Sequence, residues 1–293
     1  MMNIVVCVKQ VPDTVKPLRV DNDGRHIDTG DLTFTINPCD LAAVKWATNR
    51  KEKSKSGEVT VLSAGLPSAE KSLRECFAYG ADRAFLLNDR CFEDSDAYAT
   101  GVLLSRAISQ LNYDIVLCGF RAVDTNDGWV GPVIASKLGI PCISRVIDIR
   151  VSDEAKELTV ERRLDGINRE FVKVTLPCLL TVDPLLDKPR YPSVGAIRAA
   201  QKRKIEHYDR TGLALSLDEV GAAGSKTQTV QLSVSKPRPK RLFTPDSNLP
   251  AAERIRLIMS GGMTEKVDNR LEGKPEEIVP ELVYFLRQKK IIR

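Results

Sequence analysis

The sequence predicts an α/β fold: a doubly wound parallel sheet with helices on both faces, an antiparallel β extension and an extended C-terminal tail. Three observations support this fold class. Apolar runs of strand length alternate with helical segments as far as Gly119, period-two alternation follows Pro141, and proline and polar residues dominate much of the chain from about residue 209. Strands that alternate with helices imply βαβ units and therefore a parallel sheet with right-handed crossovers.

The parallel part starts with the run "IVVCVK", the kind of strand that is buried on both faces of a sheet. Asp23-Gly24 predicts a hairpin over 18–30. Pro38 fits the first turn of a helix that ends in lysines before Gly57. Further strands are predicted at 58–65, 83–89 and 114–119, and further helices at 68–80 and 95–111.

The antiparallel part is predicted from alternating apolar and polar residues and from the turn at Asp165-Gly166. Its four segments are "ISRVIDIRVS", "ELTVERRLDG", "NREFVKVTLP" and "CLLTVD". We expect them to form an antiparallel extension that closes on the main sheet.

Composition excludes several classes of function. With 293 residues and 42% hydrophobic content the chain can bury a sizeable core. No apolar run approaches the roughly 20 residues of a bilayer-spanning helix, and the N-terminal segment lacks signal-peptide features, so we expect a cytoplasmic protein without a membrane span. A net charge of +5 with 5% aromatics gives no reason to expect nucleic acid as a partner.

Cysteine and histidine usage gives no catalytic or metal centre. The seven cysteines are scattered and never in CxxC spacing, so we interpret them mostly as small buried hydrophobes. His26 and His207 are too far apart in sequence to favour a metal site or a catalytic triad. We therefore predict no catalytic residue and no metal ligand.

Ligands of parallel sheets bind at the carboxyl ends of the strands. Four segments are predicted to meet there: Val8–Pro12, Asn37–Asp40, Ser63–Leu66 and the loop after Gly119. In that loop, Gly128 and Gly131 precede a helix near Pro132, and backbone N–H groups at a helix N-terminus favour phosphate. The alternative is a solvated turn with a helix cap, since neither a GxGxxG nor a Walker pattern is present.

The stretch "VDPLLDKPRYPSVGAIRAAQKRKIE" forms a different kind of candidate. Pro189 and Pro192 fix φ and cannot continue a sheet interior, so the chain is expected to leave the strand and project outward. The basic helix that follows has Val194 and Ile197 as its sizeable apolar residues. It is either a docking arm or a surface helix capped by Ser193.

Six motifs in register resemble the β subunit of electron transfer flavoproteins, a family with a flavodoxin-like, adenine-nucleotide-hydrolase-like fold. They are "VCVKQVPDT", "INPCDLAAV", "YGADRAFLL", "CGFRAVDTNDGWVGP", "PRYPSVGAI" and "EGKPEEIVPELVYFL". The resemblance spans nearly the whole chain and implies an electron carrier rather than an enzyme. It implies pairing with an α subunit, FAD held mainly with that subunit, AMP or a second FAD in this subunit, and an acyl-CoA dehydrogenase-type flavoenzyme as partner.

The resemblance also implies the site residues. Those for cofactor binding are Cys7, Asn37, Pro38, Cys39, Asp40, Ala64, Phe120, Arg121, Ala122, Val123, Asp124, Thr125, Asn126, Asp127, Gly128, Trp129, Val130 and Gly131. Those for the partner dehydrogenase are Arg190, Tyr191, Val194, Ile197, Arg198 and Lys202. Residues 1–208 would form the nucleotide-binding domain, with the recognition arm at 184–204, and residues 209–293 a tail that wraps the α subunit and ends in a short helix.

Where several family members carry Asp-Gly-Asp-Thr-x-Gln, the loop has Asp124-Thr125-Asn126-Asp127-Gly128-Trp129, and Asp127 and Trp129 are its most notable departures. Asp127 would oppose a phosphate unless it turns outward or caps the helix, and Trp129 either stacks near the nucleotide or packs on the α subunit. The alternative function is a stand-alone adenine-nucleotide-binding regulatory protein, which would not need the β extension and the arm. A nucleic-acid binder that uses the proline-broken basic tail is a weaker third interpretation.

Overall fold

The structure is a computed structural model that describes residues 2–13, 30, 32–152, 156–187, 191–228, 230, 244–259, 273, 275–288 and 291. They belong to two compact units, Met1–Val234 and Ser235–Arg293. The hairpin predicted at Asp23-Gly24, the arm residues Pro189 and Arg190, and the basic stretch Lys236 to Arg241 lie outside the described residues.

The first unit contains eleven described strands and six described helices. The strands are β1 Ile4–Cys7, β2 Gln10–Pro12, β3 Phe34–Ile36, β4 Val59–Ala64, β5 Arg83–Leu87, β6 Ile115–Gly119, β7 Cys142–Val151, β8 Glu157–Arg163, β9 Arg169–Thr175, β10 Cys178–Val182 and β11 Glu206–Tyr208. The helices are α1 Pro38–Ser54, α2 Glu70–Tyr79, α3 Ala97–Ile108, α4 Val130–Leu138, α5 Val194–Gln201 and α6 Gly221–Gly224.

Nine strands form one sheet in the order β11-β5-β4-β1-β6-β10-β7-β8-β9, and β2 pairs separately with β3. The strands from β11 to β7 are mutually parallel. The pairs β7–β8 and β8–β9 are antiparallel, so the predicted extension continues the main sheet. The doubly wound α/β fold with an antiparallel extension is thereby confirmed.

One strand was wrongly assigned to the antiparallel part. Cys178–Val182 lies between β6 and β7 and is parallel to both. All five of its residues are buried, as expected for a continuous apolar run that has neighbours on both sides and helices or extension residues over both faces. The misassignment arose because "CLLTVD" follows the alternating segments directly in the chain.

The helices cover both faces of the sheet. Ile4 and Val6 of β1 pack with residues of α1 and α2 in one core, whereas Val5 and Cys7 pack with residues of α3 and α4 in the other. This division follows from the alternation of side chains along a strand. A doubly wound sheet therefore has two hydrophobic cores, one on each face.

Residues after 208 still belong to the first unit. Leu213, Leu215 and Val220 are buried in the core that contains α3. The division between the two units therefore comes later in the chain than the boundary expected at 208/209. That a tail wraps a partner subunit stays a prediction.

The second unit contains helices α7, Ala251–Met259, and α8, Pro275–Gln288. α8 corresponds to the predicted terminal helix, whereas the sequence analysis did not predict α7. Ile255, Ile258 and Leu282 are exposed apolar residues of these helices. Among the described helices of both units, none combines the length and apolar character of a membrane span.

The cysteines follow the interpretation from the sequence: five are buried, Cys91 is half-buried and Cys142 is exposed. Burial raises the pKa of the Cys39 thiol to about 11, so this thiol stays protonated at neutral pH. In the described part of the chain, no cluster of His, Cys, Asp and Glu has the arrangement of a metal site.

Candidate functional site

A cavity of about 630 Å³ lies at the carboxyl edge of the parallel sheet. Its floor comes from the ends of four neighbouring strands, through Cys7 of β1, Ala64 of β4, Cys118 of β6 and the residues that follow Leu87 of β5. The four segments expected from topology, those after β1, before α1, after β4 and after β6, all contribute lining residues. The volume is in the range of cofactor-sized pockets.

The structure divides the predicted cofactor residues into two groups. Those that line the cavity are Cys7, Asn37, Asp40, Ala64, Arg121, Ala122, Thr125, Asp127 and Val130. Those that do not line it are Pro38, Cys39, Phe120, Val123, Asp124, Asn126, Gly128, Trp129 and Gly131. Several members of the second group hold the first in place, as described below.

The sequence analysis did not predict that the segment 88–97, which follows β5, also lines the cavity. Asp89 accepts hydrogen bonds from the N–H groups of Arg210 (3.0 Å) and Cys91 (3.2 Å), and these bonds lower its pKa. Burial opposes ionisation of Asp96, but bonds from Ala99, Thr227 and Lys226 lower its pKa below the usual value. The signal was present, since β5 is parallel and its carboxyl end must reach the same edge.

A buried network fixes the centre of the site. The Asp40 carboxylate accepts from the Lys9 N–H (2.8 Å) and from Asn37 Nδ2 (3.1 Å). Asn37 also donates to the Arg121 carbonyl (3.0 Å) and accepts from the Val123 N–H (3.3 Å), so it ties the start of α1 to the loop after β6. Burial raises the pKa of Asp40 to about 7 although these bonds oppose the shift.

Gly119 allows this network to form. A Cβ at this position would overlap the Asp40 carboxylate and would lie 2.9 Å from both Asn37 Nδ2 and Cys39 Cβ. Contacts of this length are too short for real Cβ atoms. The absence of a side chain at the end of β6 is therefore required for α1 to begin where it does.

The loop 120–131 is held by its own turns. The Asn126 N–H donates to the Ala122 carbonyl (2.9 Å), and Asn126 adopts a φ of 58°. The Asp124 carboxylate accepts from the Thr125 N–H within the loop (2.8 Å), and its Oδ2 lies 2.8 Å from Lys9 Nζ. This ion pair joins the loop to the segment after β1.

Helix α4 begins at Val130 without a side-chain cap. Within the described structure, no acceptor is recorded for the N–H groups of Gly128, Trp129, Val130 and Gly131. Unpaired N–H groups at a helix N-terminus attract anions. Asp127 and Val130 line the cavity on either side of this turn, so its N–H groups favour a phosphate there, whereas the Asp127 carboxylate, which does not cap the helix, opposes one.

The two loop glycines have different surroundings. A Cβ on Gly131 would lie 2.5 Å from Thr181 Cγ2, so this glycine allows α4 to pack on β10. A Cβ on Gly128 would lie 2.9 Å from the Phe120 carbonyl across the loop. Both glycines therefore make room for atoms of the protein itself.

Trp129 contacts α3: its ring centroid lies 6.5 Å from that of Tyr98. Tyr98 in turn lies beneath the ammonium groups of Lys137 and Lys226. Trp129 does not line the cavity. Packing on α3 was not among the roles weighed from the sequence.

Helix α5 presents its apolar residues to solvent. Val194 and Ile197 are 67% and 43% exposed, and Arg198 and Lys202 are also exposed. The Ser193 hydroxyl accepts from the Ala196 N–H (3.2 Å), so the predicted cap is present. The end of the helix is held by Arg74, which donates to the Gln201 carbonyl (3.0 Å). Tyr191 is 85% exposed.

The comparisons with known proteins agree with this architecture. Residues 26–212 match the family described as the electron transfer flavoprotein domain. The chain is 38% identical to electron transfer flavoprotein subunit beta of Thermoanaerobacterium thermosaccharolyticum, over 92% of this chain and 97% of that protein. It is 38% identical to the caffeyl-CoA reductase-Etf complex subunit CarD of Acetobacterium woodii, over 78% and 86%. It is 34% identical to protein FixA of Azotobacter vinelandii, over 82% and 86%.

Proposed function

The chain belongs to the family of electron transfer flavoprotein β subunits, and from this premise we propose that it is one half of a heterodimeric electron carrier. Its other half is an α subunit that holds most of the contacts to FAD. The dimer moves electrons between an acyl-CoA dehydrogenase-type flavoenzyme and a downstream acceptor in the cytoplasm. The name of the relative from Acetobacterium woodii, a subunit of a CoA-ester reductase complex, supports a CoA-linked partner.

The second part of the proposal is an adenine nucleotide, AMP or a second FAD, in the cavity of this subunit. The observation that carries it is the turn from Gly128 to Gly131, at the start of α4 beside the cavity. Among the described residues, the N–H groups of this turn have no acceptor. These groups bind a phosphate without the rearrangement of any side chain. The carboxylates of Asp89 and Asp96 are engaged by protein N–H groups, which reduces their repulsion of a phosphate.

Each element of the site has a positioning task. Asn37 and Asp40 hold the loop against the start of α1, and the Lys9–Asp124 ion pair holds its far side. Val8, Leu66 and Phe92 give the cavity apolar walls that suit the face of a base or a flavin ring. Bound FAD supplies the redox chemistry, and we assign no general acid or base to this chain.

The arm is proposed to dock the dehydrogenase. Val194 and Ile197 offer a small apolar tip, and Arg198 and Lys202 offer a basic flank that attracts an acidic partner. A capped helix loses little conformational entropy when it docks, so a few apolar contacts suffice. The cap on Ser193 is compatible with this role, because it orders the helix without covering Val194.

The experiment is to express the chain with and without its α subunit and to identify the nucleotides released on denaturation. We expect flavin mainly in the dimer, together with AMP or a second FAD equivalent. A stable monomer that carries stoichiometric FAD would contradict the pairing. A monomer that binds ATP or AMP and never associates with an α subunit would support the regulatory-protein alternative.

A further inference from the structure

Arg145 has an unusual backbone position in the sheet. It lies in β7 between Ile143 and Val146, where the pairing with β10 changes register. Its φ is 59°, in the left-handed region that disfavours a residue with a side chain. Its N–H donates to the Thr181 hydroxyl (3.2 Å). A residue that keeps such a strained backbone conformation is held in it by its surroundings, and strain of this kind is concentrated at functional sites.

The guanidinium of Arg145 lies over the ring of Phe120, 5.6 Å from its centroid. The guanidinium of Arg121 lies over the same ring at 4.9 Å. Arg121 also lines the cavity, and Phe120 is the first residue of the loop 120–131. The guanidinium groups of Arg121 and Arg145 therefore both lie over one ring at the base of this loop. Arg121 lines the cavity and Arg145 does not.

Arg145 differs from other arginines of the β extension. Arg150, Arg162 and Arg169 each have a carboxylate oxygen within 3.0 Å. The ion pair recorded for Arg145 joins Nη1 to the exposed Asp165 carboxylate at 3.8 Å, beyond hydrogen-bonding distance. Its Nε is buried and has no acceptor within the described part of the chain. Its Nη donors, which form no short bond to a carboxylate, are the ones that remain available to a ligand.

We propose that Arg145, together with Arg121, forms a second anion subsite that takes a phosphate oxyanion of a nucleotide longer than a mononucleotide. This inference rests on the proposed nucleotide site and deepens it. A guanidinium presents several N–H donors in a fixed plane, which suits the paired oxyanions of a pyrophosphate. The subsite selects for a diphosphate or dinucleotide, such as FAD, over AMP.

The test compares AMP, ADP and FAD binding to the full-length chain by calorimetry, after removal of copurified nucleotide. Arg145→Gly suits the backbone, because glycine adopts positive φ freely. We expect its unfolding midpoint to stay close to that of the unchanged chain. Its affinity for AMP stays within twofold, while its affinities for ADP and FAD fall about tenfold, as expected for a lost charge-assisted hydrogen bond. Arg145→Lys gives an intermediate loss.

Four outcomes would overturn the subsite. Equal ADP and FAD affinities in the unchanged chain and in Arg145→Gly would show that Arg145 makes no ligand contact. A tenfold loss that includes AMP would make it a general support of the loop. Arg145-dependent binding of inorganic pyrophosphate to the AMP-saturated chain, with unchanged ADP and FAD affinities, would assign it to a free anion. Absence of all nucleotide binding in the unchanged chain would contradict the proposed function as well.

Discussion

The edge around the cavity and helix α5 are both proposed to bind, yet they are built in opposite ways. At the edge, Asn37 and Asp40 are buried and Gly119 has no room for a methyl group. In α5 only Ala200 is buried, and a Cβ on Gly195 would meet nothing closer than 3.9 Å. Residues at the cavity edge therefore contribute both to the stability of the fold and to ligand binding, so substitutions there should change both. Substitutions in α5 should change only the affinity for a partner protein.

The largest expected difference is in the response to pH. The pKa of Asp40 is about 7 in the folded chain and 3.8 in the reference state, so between these values the folded chain binds more protons. The stabilising contribution of protonated Asp40 to the free energy of unfolding is fully present below pH 4. It is lost as the pH rises to 7, by up to a few kcal/mol. Denaturant unfolding at pH 4 to 8 measures this slope.

The variant Asp40→Asn is the control, since it removes the titrating group and keeps one acceptor oxygen. We expect a flatter pH dependence of its unfolding free energy over the same window. An identical slope in both proteins would show that Asp40 does not carry this dependence.

A matched pair of Gly→Ala changes comes next. Gly119→Ala forces a methyl group against Asn37, Asp40 and Cys39, and overpacking of this kind costs about 1–3 kcal/mol. Gly195→Ala places the same methyl in open space on a helix and should stabilise by about 0.5–1 kcal/mol. Thermal unfolding and nucleotide content measure both variants. Equal nucleotide content in Gly119→Ala and Gly195→Ala would contradict the view that packing at the cavity edge supports ligand binding.

Val194→Ala tests the arm. The loss of two methyl groups from an exposed apolar tip should weaken docking by about 1 kcal/mol, or roughly fivefold in the rate of flavin reduction by the dehydrogenase. Nucleotide content and unfolding midpoint should not change. Val194→Asp should have a far larger effect on the same rate. A wild-type rate in Val194→Asp would reduce the arm to a capped surface helix.

The smallest effect is expected for the basic flank. Replacement of Arg198 and Lys202 by glutamine should slow association with the dehydrogenase by a few-fold at low salt and flatten its salt dependence. Stopped-flow measurements at two ionic strengths separate this steering from contact loss. An effect that persists unchanged at high salt would indicate direct contacts instead.

The sequence predicted the parallel sheet and four segments of the cavity edge, because both follow from local periodicity and from strand direction. It did not predict that Cys178–Val182 joins the parallel sheet, since its neighbour β6 is more than fifty residues earlier in the chain and no local pattern encodes that pairing. The role of Gly131 against Thr181 was missed for the same reason, since it depends on a contact between distant segments. The cavity residues of the segment 88–97 follow from the direction of β5 and were overlooked.

The bonds at Asp96 have a consequence for assembly. Its carboxylate caps α3, lines the cavity rim and accepts from the N–H groups of Lys226 and Thr227, just before the chain leaves the first unit. The chain is thus anchored to that rim through residues 226 and 227. Tethering raises the effective concentration of a captured partner near its target, without any added contact. For an α subunit proposed to bind the tail, we therefore expect cleavage of the chain after Thr227 to remove this advantage.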